Sequence, residues 1–97
     1  MVMAKQTFFQ DDSVHIEWEA VEDQCHVHCL VYVWNKTVAK ECYGHFVRLR
    51  SFIKGMGYGW FYSITPNPKF CEMYGGEHLS EQDGKEVMIW ATQVRQH

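Results

Sequence analysis

The stretch Asn67-Pro68-Lys69-Phe70-Cys71-Glu72-Met73-Tyr74-Gly75-Gly76 brackets a short helix by local chemistry alone. Asn67 is a capping residue type, Pro68 has its φ preset for the first helical position, and the glycine pair supplies the stop. Downstream, Glu77–Gln82 and Lys85–Thr92 flank Asp83-Gly84, a dipeptide suited to the two-residue turn of a β-hairpin. Upstream, Tyr58 to Thr65 is rich in aromatic residues and reads as a strand. The short helix therefore joins two strands.

Before Tyr58, the apolar residues Cys42, Phe46, Leu49, Ile53 and Met56 recur at helical spacing, with Lys40, Arg48, Arg50 and Lys54 mainly off the stripe. Asn35-Lys36-Thr37 offers a start and Gly55 and Gly57 an end, which predicts an amphipathic helix over Val38–Lys54. Val14, Ile16, Trp18 and Ala20 alternate with His15, Glu17 and Glu19, the period of a half-buried strand. Glu22-Asp23-Gln24 separates it from Cys25 to Trp34, so the two runs should form an antiparallel hairpin. The long helix then makes a crossover that sets Tyr58–Thr65 parallel to Cys25–Val33.

The expected fold is α/β: a mixed, mostly antiparallel five-stranded sheet with one long and one short helix, in the order β-β-α-β-α-β-β. Residues 1–13 read as an N-terminal tail anchored by Phe8 and Phe9, and 14–97 as a single domain. With 97 residues, 46% of them hydrophobic and 15% aromatic, one packed core is within reach. The longest apolar run, Cys29 to Trp34, is too short to cross a bilayer, and residues 1–10 lack the pattern of a signal peptide, which predicts a cytoplasmic protein without membrane contact. The charge of −3, without a basic tract, gives no footprint for nucleic acid. Cys25, Cys29, Cys42 and Cys71 are scattered through strand and helix patterns and read as reduced thiols.

The element order, together with Asn67, Phe70 and Gly75-Gly76 in an Asn-x-x-Phe-x-x-x-x-Gly-Gly pattern, resembles the C-terminal half of the N-acetyltransferase (GNAT) superfamily. The resemblance implies an opening between two central parallel strands that holds acetyl-CoA. It also implies a pyrophosphate loop of pattern Arg/Gln-x-x-Gly-x-Gly/Ala at the start of the long helix, where glycines let backbone amides approach the anion. The corresponding segment, Val33 to Cys42, has no glycine, and Gly75-Gly76 stands where the family has Gly-Phe. The initial strand and two helices of that superfamily have no counterpart either.

The resemblance with these departures implies a GNAT-like pseudoenzyme that acts through protein–protein contacts. It further resembles small bacteriophage proteins, virion-associated or directed at a host or defence factor, which places it in the host cytoplasm or the virion. The rival expectation is an acetyl-CoA-dependent N-acetyltransferase, with Lys36, Thr37, Lys40 and Asn67 at the cofactor. There, Tyr74 would be the general acid toward the thiolate, and Glu17 or His28 the base.

Two further patterns bear on chemistry. His26 and His28 share one strand face while Cys25 and Cys29 take the other, so at most the histidines could ligate a metal, with His15 or His45 as a third group. Trp18, Trp34 and Trp60 are candidates for an exposed interface that pairs two copies or holds a protein partner.

Overall fold

The computed structural model describes residues 4–93; residues 1–3 of the predicted tail and 94–97 of the predicted domain lie outside the described residues. Its elements are β1 (Gln6–Gln10), β2 (Val14–Val21), β3 (Gln24–Val31), α1 (Lys36–Gly55), β4 (Trp60–Thr65), α2 (Pro68–Met73), β5 (Glu77–Gln82) and β6 (Lys85–Ala91). They form one mixed sheet in the order β1-β2-β3-β4-β6-β5.

The sheet has six strands where five were expected. The supposed tail is β1, an edge strand antiparallel to β2 with a register shift between Thr7 and Phe9. Its alternation is broken by that irregularity, so the period-two signal is absent from the sequence. Phe9 stacks on His45 with ring centroids 3.9 Å apart, and Phe8 meets Phe52. Consequently β2 is an interior strand, and the edges are β1 and β5.

The remaining pairings follow the expected pattern. β2 and β3 pair antiparallel along their length, and β3 and β4 are adjacent and parallel with α1 between them in the chain. β4 pairs antiparallel with β6, which closes the hairpin with β5. Asp83 and Gly84 both have positive φ, the requirement of a type I′ turn.

Both helices cover the same sheet face. Val14, Ile16, Trp18 and Val27 are buried there beneath Val38, Cys42, Phe46, Leu49 and Ile53 of α1. Phe46 stacks on Trp90 at 5.2 Å and on Tyr74 at 5.0 Å, and meets Phe70 of α2 at 6.0 Å. The predicted stripe thus forms the core except at its last member: Met56 is the C-cap of α1 and 37% exposed. The other sheet face carries His15, Glu17, Glu19, His26, His28, Trp60 and Tyr62, and among the described residues no helix lies over it.

The short helix ends in a Schellman arrangement: the Gly76 N–H donates to the Cys71 carbonyl at 2.8 Å and that of Gly75 to Glu72 at 3.2 Å. Gly75 has φ +104, and a Cβ there would collide with an Arg50 guanidinium nitrogen.

Candidate functional site

The ladder between β3 and β4 consists of one partner pair, His26 opposite Tyr62. Beyond it the strands diverge, and α2 hangs from the end of β4 beside the opening. The result is a cleft of about 630 Å³ whose lining includes Cys29, Leu30, Val31, Trp34, Phe70 and Met73. A recess of about 340 Å³ shares Cys29, Leu30, Thr65 and Phe70 with it and reaches His28, Phe46, Ser63 and Trp90. Leu30, Trp34 and Met73 are each about half exposed, so the mouth is apolar and open to solvent. Trp34 meets Phe70 edge-on across 5.6 Å.

This position follows from the topology. Strands of a parallel pair end on the same side, and a crevice outside their carboxyl ends is the usual ligand position in open α/β sheets. The start of α1 adjoins the end of β3, so Lys36, Thr37 and Lys40 lie near this end of the sheet, all exposed. The Asn35 side chain accepts a hydrogen bond from the Val38 N–H at 2.9 Å. That carboxamide takes one of the amides an anion at the helix start would use, and no glycine lets the backbone close around a phosphate.

Tyr74 lies in the core at 6% exposure, and its hydroxyl donates to the Ala39 carbonyl at 2.8 Å. Burial raises its pKa. Its proton is directed at α1 and not into the cleft. Asn67 occupies the N-cap position of α2, yet its side chain makes no capping bond; its N–H donates to Thr65 Oγ1 at 3.0 Å, and the residue lies along the cleft rim.

Of the two predicted bases, His28 reaches the recess and Glu17 does not line it. His28 Nε2 lies 3.0 Å from a carboxylate oxygen of Glu19, which makes an oriented imidazole–carboxylate pair on the uncovered sheet face. Sequence reading missed Glu19, because the partner of His28 depends on cross-strand register, in which Glu17 is the residue directly opposite. Phe70 and Met73 were also missed as lining residues; a two-turn helix is too short to reveal which of its sides faces a groove.

The two histidines proposed as ligands have different partners. His26 Nε2 is 3.2 Å from Gln24 Oε1 and its ring lies beside Tyr62, with burial lowering its pKa. His45 is on α1, buried on the opposite side of the sheet from His26 and His28, and cannot join them. His15 hydrogen-bonds with Thr7. Among the described residues no group of three or more His, Cys, Asp or Glu side chains is placed to hold a metal.

All four cysteines are free thiols. Burial pushes Cys29 up to about 12, and Cys25 and Cys71 up to about 11, so they stay protonated and poorly nucleophilic at neutral pH.

The three candidate interface tryptophans part company. Trp18 belongs to the core, 9% exposed and edge-on to Phe52 at 5.4 Å, because it shares the strand face that α1 covers. Trp34 stands at the cleft mouth, and Trp60, 50% exposed, lies on the uncovered sheet face. Among the described residues, no helix is long and apolar enough to cross a membrane. Comparison with protein-family models, curated proteins and solved structures finds no match.

Proposed function

We propose that this protein is a non-catalytic, GNAT-like binding protein that engages a protein partner through the cleft between β3 and β4. The observation that carries this reading is the lining of that cleft: Leu30, Val31, Trp34 and Met73 are apolar and exposed beside the partly buried Phe70, while Tyr74 and the start of α1, which a transferase would use, are engaged elsewhere. Tyr74 is held by Ala39, and Asn35 closes the helix start. The occupant is an extended apolar segment of the partner. An opening flanked by two diverging strands matches a strand-like ligand in shape, and exposed apolar surface supplies the driving force. The resemblance to bacteriophage proteins sets the context of this proposal, a virion-associated or host-directed factor.

A second reading, an acetyl-CoA-dependent transferase, is favoured by one observation: His28, paired with Glu19, reaches the recess. It would serve as base, with acetyl-CoA in the cleft. Calorimetry separates the two. The proposed function expects acetyl-CoA to bind no tighter than about 1 mM, a free energy of about −4 kcal/mol. It also expects extended hydrophobic peptides selected from a displayed library to bind with Trp34 fluorescence changing, and Trp34→Ala to weaken them about tenfold, about 1.4 kcal/mol. Micromolar acetyl-CoA binding that competes with those peptides would overturn it in favour of the transferase.

A further inference from the structure

The outer surface of α1 and the uncovered face of β2 differ in charge. On α1, Lys36, Lys40, Arg48 and Lys54 are exposed and Glu41 is the one acid, whereas the six strands hold a single lysine or arginine, Lys85, which alternates with the buried Met88 and Trp90 onto the uncovered face. The uncovered sheet face presents Glu17 and Glu19, with His15 beside the first and His28 paired with the second, and Glu77 opposite Ile89 at its far side. Since α1 covers the opposite face of the sheet, its basic residues and the acids of β2 lie on opposite sides of the molecule.

Each surface also has an apolar centre. On the sheet side Trp60 is 50% exposed and neighbours Tyr62 and Ile89. On the helix side Tyr43 is 65% and Val47 47% exposed, one turn apart between Lys40 and Lys54. An apolar centre with a charged margin is the composition of a protein interface, and here the two margins have opposite sign.

We propose that the uncovered sheet face of one copy docks on the outer surface of α1 of a second copy, head to tail. A two-fold arrangement would set Glu17 and Glu19 against their own equivalents, or the lysines of α1 against theirs, and is disfavoured by like-charge repulsion. A head-to-tail contact leaves one acidic and one basic surface free at its ends, so it continues into longer assemblies. None of the residues invoked lines the cleft mouth, so this inference stands apart from the cleft's occupant.

The test is sedimentation velocity of the purified protein at about 0.05 M and about 0.5 M salt, where the Debye length falls from about 14 Å to about 4 Å. The sedimentation coefficient should rise with protein concentration at low salt and return to the monomer value at high salt. Glu17→Lys/Glu19→Lys and Lys40→Glu/Lys54→Glu, each folded by circular dichroism, should be monomeric or nearly so alone. Mixed, they should assemble again with alternating copies, because the acidic sheet face of one meets the basic α1 of the other and the two reversed surfaces complement each other in turn. Tyr43→Asp, at the most exposed large apolar side chain of α1, gives an independent variant that should also block assembly. A wild-type monomer at low salt overturns the proposal, as does assembly of either charge variant alone at the wild-type level, or a mixture that stays monomeric. Wild type that remains monomeric yet binds polylysine overturns it in favour of a foreign basic partner.

Discussion

The hydroxyl of Tyr74 donates to the carbonyl oxygen of Ala39 across 2.8 Å, joining the C-cap of α2 to the beginning of α1. The bond fixes α2 against α1 and with it the Phe70 side of the cleft. Tyr74→Phe keeps the ring stacked on Phe46 and loses only the bond, so denaturant unfolding should show a loss of about 1 kcal/mol. Peptide binding in the cleft should remain.

Phe46 is 2% exposed and contacts Phe70, Tyr74 and Trp90, making it the ring on which both helices and β6 converge. Phe46→Ala should cost about 3–5 kcal/mol, read from equilibrium denaturation. An unchanged melting temperature would mean that α1 does not bury this stripe.

Gly75→Ala is expected to destabilise by more than about 1 kcal/mol, the penalty of a Cβ at positive φ. The added methyl must also displace the Arg50 guanidinium, which donates to the Tyr74 carbonyl. Gly57→Ala, with φ +99 but nothing within 4 Å, provides the comparison: it carries the backbone strain alone and should cost less.

His45 is 7% exposed, its Nδ1 is approached by Arg48, and its Nε2 has no partner among the described residues. Burial first, and Arg48 second, lower its pKa from the ordinary imidazole value. The unfolded chain therefore takes up a proton more readily than the folded one. The contribution of neutral His45 is fully present above about pH 6.5, the unfolded value, and is lost as pH falls toward the lowered folded value. His45→Gln should flatten the fall in melting temperature between about pH 7 and pH 5. Its Phe9 contact makes the packing of β1 the first place to observe the change, by exchange of the β1 amides.

Trp18 and Trp90 are buried whereas Trp34 and Trp60 are half exposed. Acrylamide should quench single-tryptophan variants retaining Trp34 or Trp60, and spare those retaining Trp18 or Trp90. Quenching of Trp18 at the rate of Trp34 would contradict its place beside Phe52.

The sequence by itself determined the elements whose signals are local. The apolar spacing from Cys42 to Ile53 specifies a helix, the alternation around Ile16 a strand, Asp83-Gly84 a turn, and Gly75-Gly76 a helix end. Each acts through the backbone preferences of a few consecutive residues. The parallel pairing of β3 and β4 was also legible, because a connecting helix brings the chain back in the same direction.

Tertiary structure alone decided three things. Gln6–Gln10 became a strand because β2 offered an edge and Phe8 and Phe9 could pack against α1, although its own pattern is irregular. Alternation put Trp18 on one face of β2, but only the placement of α1 made that face the core. The cleft exists because β3 and β4 part after His26 and Tyr62, which brings Leu30, Trp34, Phe70 and Met73 together from separate segments. Local preferences specify which way a side chain points relative to its own strand or helix; what it points at is fixed by the packing of elements distant in the chain.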